Sequence, residues 1–470
     1  MRPITNFSRS CARGATSTGI NRSLPRIGTL RHLFLPSTIT LALALSACGS
    51  STGGSVVPGQ QQPTVATSAQ RTLHAVLGAK SILPSSTSAG AQASLCARPT
   101  NAAHAGCFAT IRTDSVTSSV FPDSVFGLTP KDLSLLYAYP APGAQGSAGW
   151  GQKVAIVVAG DYALAESDLG VYRSHFGLPP CTSANGCLTK VGAAAAGASQ
   201  AGSPTSVSAH PTTLSAIGWA GETDTDTQMV SAVCPNCKIV IAEAASDSMV
   251  DLGMAVEAAI NANASIINLS FGAAESSADV AWSSQYNGMR HVKLVAAAGD
   301  WGYGVYYPAS DPSAIAVGGT SLSVSGSTVS ETAWSGTGSG CSAYFNNPGW
   351  ERPPWVAGTC TRRNVADVSA VADPLTGAAI YDSSLFGLFG GWAIFGGTSV
   401  SAPIIAGMNA LAANTARGQG AQLLYAAPQW AFLPVTRGSN GSCSPQYLCT
   451  AMAGYNGPTG LGIPQGLGGF

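Results

Sequence analysis

The strongest constraint on how this chain folds is an alternation that begins at residue 153. Lys153 to Ala159 (Lys-Val-Ala-Ile-Val-Val-Ala) is a continuous apolar run of strand length. Glu166 to His175 follows with helical character, then a second apolar run, Lys238 to Glu243. Met249 to Asn261 carries apolar residues at helical spacing. Ser265 to Ser270 reads as a strand, Ala278 to Arg290 as a helix, and Val292 to Ala297 as a strand. Strands that are apolar throughout are buried on both faces, and helices between them are the usual crossovers of a parallel sheet. The pattern predicts an α/β domain with a largely parallel sheet. Functional sites in such sheets lie at the carboxyl ends of the strands.

Composition narrows the class further. The chain has 470 residues, 45% of them hydrophobic, which excludes wholesale disorder. Its 22 Lys and Arg balance 22 Asp and Glu, with no basic stripe. That argues against nucleic acid as the main partner. No stretch reaches the roughly 18 apolar residues that a membrane helix needs. Residues 48 to 95 are rich in Ser, Thr, Gly, Ala and Gln and are expected to form a flexible tether.

Ten of the twelve cysteines fall into close pairs: Cys96 and Cys107, Cys181 and Cys187, Cys234 and Cys237, Cys341 and Cys360, Cys443 and Cys449. A reducing cytosol rarely keeps such a set, so five local disulfides in an oxidising compartment are expected. Free thiols, a metal site, or a redox-active Cys234-Pro-Asn-Cys237 are the alternatives. The N-terminus agrees with export. Arg2, Arg9, Arg13, Arg22, Arg26 and Arg31 precede an apolar run from Leu33 to Leu45, with no acidic residue before it. The run ends in Leu45-Ser-Ala-Cys48 and then a Gly- and Ser-rich stretch, which resembles the lipobox of bacterial lipoproteins. That resemblance implies a signal peptide over residues 1–47 and a lipid on Cys48; ordinary secretion with Cys48 incidental is the alternative.

Two Gly-Gly-Thr-Ser elements occur. After Ser321 the chain alternates like a strand. After Ser399 come Val400-Ser-Ala-Pro403 and an apolar helical pattern, so Ser399 stands at a helix start, with Pro403 expected in the first turn. Unpaired N–H groups and the helix dipole favour an anion there, so Ser399 is a candidate nucleophile, or else a plain N-cap. None of the six histidines lies in a His-Gly-Thr-His setting, so another base is needed. Glu222 and Asp226 are four apart, which on a helix puts both carboxylates on one face, close enough to share a proton. Such a pair can act as a general base in mild acid. An acidic, solvated first helical turn is the alternative, and Asp224, off that face, fits it. Asp300 follows a hydrophobic strand in Ala298-Gly-Asp300. Protonated, it can donate a hydrogen bond to an oxyanion; otherwise it is a turn residue.

Taken in order, these elements resemble the sedolisins, the serine-carboxyl peptidases. The match begins at Gly127-Leu-Thr-Pro-Lys-Asp-Leu133 and Glu166-Ser-Asp-Leu169. It continues through Glu222-x-x-x-Asp226, Gly299-Asp300, Tyr307 to Thr320, Ala366 to Ala370 and Gly397-Thr-Ser399 with Pro403, and ends at Tyr455 to Gly462. The resemblance implies a subtilisin-like three-layer α/β fold over residues 127–470 and peptide-bond cleavage in acid. By motif, Ser399 is the nucleophile, Glu222 its general base, Asp226 the residue that orients Glu222, and Asp300 part of the oxyanion hole. The implied partners are protein or peptide substrates and, through the lipid, a membrane, with the chain acting as an extracytoplasmic monomer. A catalytically weak binding or adhesion lipoprotein on the same fold is the rival reading.

Two departures from the family stand out. Sedolisins carry a calcium site near the C-terminus, with two Asp side chains and several backbone carbonyls. Here the first position is Pro434 and the second Asn456. Calcium prefers carboxylate oxygens, so weak or absent calcium binding, and no other cofactor, is expected. A Cys443–Cys449 disulfide would brace that region. Second, the family is often made with a long folded propeptide. Only 79 positions separate Cys48 from Gly127, and residues 96–126 are expected to be a short disulfide-looped lead-in. How such an enzyme stays silent before export is left open by the resemblance.

Overall fold

A computed structural model describes residues 92–117, 125–192, 206–207, 213–286, 292–325, 328–351, 360–385, 391–413 and 420–470. The signal segment, Cys48 and the tether up to residue 91 lie outside the described residues.

An eight-stranded sheet forms the centre. Across it run Thr328–Ala333, Ala314–Ser325, Lys293–Ala297, Ile266–Leu269, Lys153–Ala159, Lys238–Ala244 and Leu188–Gly192, with Val368–Val371 also paired to Ala314–Ser325. Every pairing is parallel except the hairpin between Ala314–Ser325 and Thr328–Ala333. Residues Val154 to Val158 are fully buried, as a strand covered on both faces requires. The strands expected from the apolar runs are present. The helix Met249–Asn261 has the expected limits, and Ser248 caps it by accepting from Asp251 N at 3.1 Å. The helix expected over 278–290 is Asp279–Tyr286, its later residues lying outside the described set.

Two helices pack on each other and on the sheet to hold the chemistry. Leu214–Val233 carries Glu222 and Asp226, and Thr398–Ala412 carries Ser399. The first is buried on every side from Gly218 to Val233, so it has no polar face despite the sequence Thr-Asp-Thr-Asp-Thr. Its threonines make this possible. Thr223, Thr225 and Thr227 donate their hydroxyls to the carbonyls of Trp219, Gly221 and Thr223, at 2.7–2.8 Å, so the buried hydroxyls are satisfied within the helix.

The alternative of a solvated acidic turn is therefore ruled out. Glu222 and Asp226 sit mid-helix and fully buried, and so does Asp224. Asp224 lies with Asp168 and Asp382, one oxygen of each within 4.8 Å of the others. Burial raises the Asp224 pKa well above the usual range and that of Asp382 to about 7. Pro403 also differs from expectation. It is the sixth residue of its helix, past the first turn. Its missing N–H would otherwise bond to the carbonyl of Ser399, so the irregularity falls on the Ser399 turn itself.

All five local pairs are disulfides: Cys96–Cys107, Cys181–Cys187, Cys234–Cys237, Cys341–Cys360 and Cys443–Cys449. The free-thiol and metal alternatives for these cysteines fall away.

The segment ahead of residue 127 is woven into the fold. Thr110–Thr117 pairs antiparallel with Gly391–Gly396, the strand that leads to Ser399, and Gln92–Ser94 pairs with Thr110–Thr117. Gly106–Cys107 pairs antiparallel with Phe271–Ala274.

Candidate active site

The sheet's carboxyl ends converge on Ser399. Gly397, at φ +90°, makes the turn into its helix, and an added Cβ there would meet the Phe108 carbonyl oxygen at 1.8 Å and Asp300 Oδ2 at 2.4 Å. Only glycine fits that turn. Ser399 is the second residue of the helix and fully buried. Its Oγ donates to Glu222 Oε2 at 2.8 Å and also lies 3.2 Å from the Ser270 carbonyl oxygen. Structure thus brings Ser399 and Glu222 together across 177 residues of sequence.

Asp226, one turn further along the helix, accepts from Ser270 Oγ at 2.7 Å through Oδ1. Asn268 Nδ2 donates to that Ser270 hydroxyl at 2.8 Å. Glu222 Oε1 and Asp226 Oδ2 are buried without a hydrogen-bond donor. Two buried carboxylates on one helical face hold fewer charges than in water. Desolvation, then the charge of Asp226, holds the Glu222 carboxyl well above its usual range, and burial pushes Asp226 up to about 8. The pair titrates as a unit.

Asp300 closes the other side. Its Oδ1 accepts from Thr398 N at 2.8 Å and Thr398 Oγ1 at 2.7 Å, and its Oδ2 from Thr110 Oγ1 at 3.1 Å. Desolvation raises its pKa to about 7 against the pull of these donors. A cleft of about 450 Å³ opens beside it, lined by Thr110, Trp301, Trp334 and Asn440 among others.

Sequence reasoning singled out Ser399, Glu222, Asp226 and Asp300, and all four meet here. It missed Ser270, Thr398 and Thr110, ordinary hydroxyl residues whose positions only the fold supplies. Ser270 had one legible signal, its place at the end of a predicted strand. It also missed that Ala109 N donates to Glu222 Oε2 at 3.0 Å.

Known proteins match this chain in sequence and in fold. The model of the subtilase family matches residues 165–422. The chain belongs to the subtilase family. Within it, the chain is a sedolisin. Kumamolisin from Bacillus sp. (strain MN-32) is 28% identical over 375 residues, covering 72% of this chain and 62% of kumamolisin. Sedolisin from Pseudomonas sp. (strain 101) is 33% identical over 181 residues, 35% of this chain and 27% of that protein. The chain thus spans less than two thirds of these relatives' lengths. The solved structure of Pseudomonas sedolisin, a serine-carboxyl proteinase complexed with two molecules of pseudo-iodotyrostatin, superposes with a TM-score of 0.57 at 23% identity. It covers 73% of this chain and 96% of that one, and it shares the subtilisin-like fold.

One of the two positions at which the resemblance implies a calcium carboxylate, residue 456, holds an amide. Asn456 is buried, and its Nδ2 donates to the carbonyls of Val435 and Met452 at 3.1 and 3.2 Å. Its Oδ1 accepts from Thr459 N and Oγ1 at 3.1 and 2.8 Å. The Thr459 N–H can only donate and the carbonyls can only accept, so the amide has one orientation. Its N–H groups already engage two carbonyls beside it, and a side chain that presents donors there does not fit calcium.

Proposed function

We propose that this sedolisin is an acid-acting serine-carboxyl peptidase that hydrolyses peptide bonds through an ester on Ser399. The observation that carries it is the 2.8 Å bond from Ser399 Oγ, at the start of its helix, to a buried carboxylate oxygen of Glu222. Glu222 takes the Ser399 proton as the hydroxyl attacks, then returns it to the leaving amine. The donors to Oε2, Ser399 Oγ and Ala109 N, favour charge on that oxygen. The proton retained by the pair therefore lies between Glu222 Oε1 and Asp226 Oδ2, the two oxygens without donors. Asp226, held by Ser270, orients the base through that proton. Asp300, protonated below about pH 7, donates to the developing oxyanion at the helix start.

The reading extends to location and cofactors. Five disulfides support an oxidising, extracytoplasmic site of action. Lipidation at Cys48 is proposed from the lipobox-like sequence. The Asn456 hydrogen bonds support a C-terminal region that works without calcium. Substrates are proteins or peptides, and the working unit is a monomer.

The test is digestion of an unfolded protein from pH 3 to 8 by the wild type and Ser399→Ala, with and without a chelator. Activity confined to acid, absent in the variant and indifferent to chelator is expected. Equal digestion by Ser399→Ala would remove the reading. The rival, a binding lipoprotein, would give a folded chain inert at every pH.

A further inference from the structure

We propose that Asp168, Asp224 and Asp382 form a calcium site, buried between the helix Ala165–His175, the helix Leu214–Val233 and the end of the strand Ala378–Asp382. The site is separate from the catalytic cluster and from residue 456, and it stands or falls independently of the peptidase reading.

Three elements packed on one another each supply one carboxyl. Asp224 is two residues from Glu222 and two from Asp226, about 200° around the helix, so it leaves the opposite face from the catalytic pair. All three aspartates are buried, and one oxygen of each lies within 4.8 Å of the others. Oxygens that ligate calcium stand about 2.3–2.6 Å from it, so two on opposite sides are about 5 Å apart. One ion can therefore reach all three carboxyls. Gly221 leaves room for the approach: Asp382 Oδ2 lies 3.2 Å from where a Cβ would stand on it.

Missing donors are what point to a ligand. Both oxygens of Asp224 and Oδ2 of Asp382 are buried with no hydrogen-bond partner. The neighbouring amide, Gln228, is taken by the Tyr381 backbone, with bonds of 2.6 and 2.9 Å to its carbonyl and N–H. Asp168 is better supplied. Its Oδ2 accepts from Tyr162 Oη and Ser383 Oγ at 2.7 Å and from Ser383 N at 3.0 Å, which favours charge there. Among the described residues no Lys, Arg or His forms an ion pair with any of the three. The other titratable groups that face them are the phenols of Tyr162 and Tyr381, which bring no positive charge.

Buried carboxyls without a counter-charge are protonated or hold a cation. A single shared proton serves Glu222 and Asp226, where two oxygens lack donors. Here three oxygens lack them, with a third carboxyl alongside, and relief by protons takes two. One divalent ion does the same and touches every member. The ligands are all oxygens, with the Ser383 and Ser384 hydroxyls beside Asp382 as further ones, and oxygen sets suit hard cations. Magnesium demands a near-ideal octahedron and keeps several waters, which a fully buried site disfavours; calcium accepts irregular carboxylate sets.

The ion ties the helix that carries Glu222 and Asp226 to a second helix and to the sheet strand paired with Gly391–Gly396, the strand that leads to Ser399. Ionised and empty, the three carboxyls repel one another inside the core; calcium turns that repulsion into a cross-link. Ligands must be deprotonated to bind, so acid puts protons in place of the ion. The site holds the frame closed at neutral pH, where protons are scarce.

The test is equilibrium dialysis of the full chain, disulfides intact, against radioactive calcium at pH 7.5 and pH 4, with denaturant unfolding in parallel. One calcium per chain is expected at pH 7.5 and none at pH 4. Half-saturation should fall at about 0.1–1 mM, the range of extracellular calcium modules. At that affinity a chain prepared without added calcium carries none, so a chelator alone removes nothing. Calcium at about 10 mM should shift the unfolding equilibrium about 10- to 100-fold toward the folded state at pH 7.5, and magnesium much less. Asp224→Asn and Asp382→Asn should each weaken uptake at least about 10-fold, with Asn456→Ala near wild type. A folded wild type that takes up no calcium at pH 7.5 would overturn the proposal and leave the trio neutralised by protons. Uptake that survives both Asp substitutions, or that is lost in Asn456→Ala alone, would place the ion elsewhere and overturn it equally. Peptidase activity in acid bears on none of these outcomes.

Discussion

Ser270 touches two of the catalytic residues, Asp226 and Ser399, without taking part in the chemistry. Its hydroxyl holds Asp226, and its carbonyl lies within reach of Ser399 Oγ and Phe108 N. The hydrogen bond to Asp226 favours the ionised form of that carboxyl. Ser270→Ala should then lower kcat by about 10- to 100-fold, the worth of one hydrogen bond to a charged group, while KM changes little. The acid limb of the pH–rate profile should shift upward, because the Glu222–Asp226 pair then holds its protons more tightly. A profile unmoved by the substitution would make Ser270 a packing residue only. Asp300 governs the opposite limb. Its pKa of about 7 means that the donor proton is present in acid and lost as pH rises through 7. Asp300→Asn keeps a donor that does not titrate, so activity in that variant should persist above pH 7 in pH-rate measurements. Much of this was legible in the residues: Glu222 and Asp226 at helical spacing, Ser399 ahead of an apolar helix, Asp300 after a strand. Ser270, Thr398 and Thr110 were not, because a lone hydroxyl carries no periodicity and gains its role from partners more than 40 residues away.

At the scale of elements, burial decided what the sequence left open. The helix Leu214–Val233 reads as partly solvated because three acidic residues stand within five positions. Its threonines satisfy their own hydroxyls within the helix, and burial shifts Glu222 and Asp224 toward their neutral forms. A second buried polar element sits near the C-terminal edge. Arg363, fully buried, pairs with Glu351 at 2.5 Å and Asp367 at 2.6 Å and lies 5.5 Å from the Trp350 ring. Removing one partner of such a network strands the other charges away from water. Arg363→Ala should cost about 3–5 kcal/mol in denaturant unfolding. A loss below about 1 kcal/mol would mean that the two carboxyls are simply protonated in its absence. The α/β alternation was readable because strands buried on both faces leave continuous apolar runs. The weaving of Thr110–Thr117 beside the Ser399 strand was not, because Thr-Ile-Arg-Thr-Asp-Ser-Val-Thr gives no such run.

The whole molecule is biased toward acid. Asp226 sits at about 8, and Glu243, Asp300, Glu331 and Asp382 at about 7, each raised chiefly by desolvation. A carboxyl whose pKa is higher in the folded state than the unfolded binds its proton more tightly when folded. Its stabilising effect is complete below the unfolded pKa near 4 and is lost as pH rises through the folded value. The thermal midpoint should therefore be higher at pH 4 than at pH 7.5, and calorimetry across that range checks it. A chelator should leave the midpoint unchanged at both pH values, given the amide at Asn456. The same bias fits the catalytic account, because the pH that protonates Asp300 also stabilises the frame that holds it.

The central claim is that a carboxylate, and no histidine, removes the Ser399 proton. Its most direct test is the pH–rate profile of Glu222→Gln against the wild type on an unfolded protein, with both proteins shown to be folded. The side-chain amide of that variant can still accept a hydrogen bond from Ser399 Oγ but cannot take its proton. The account predicts a loss of about 10²- to 10⁴-fold in kcat at every acidic pH, the usual weight of general-base catalysis. A Glu222→Gln variant that cleaves at the wild-type rate would contradict it.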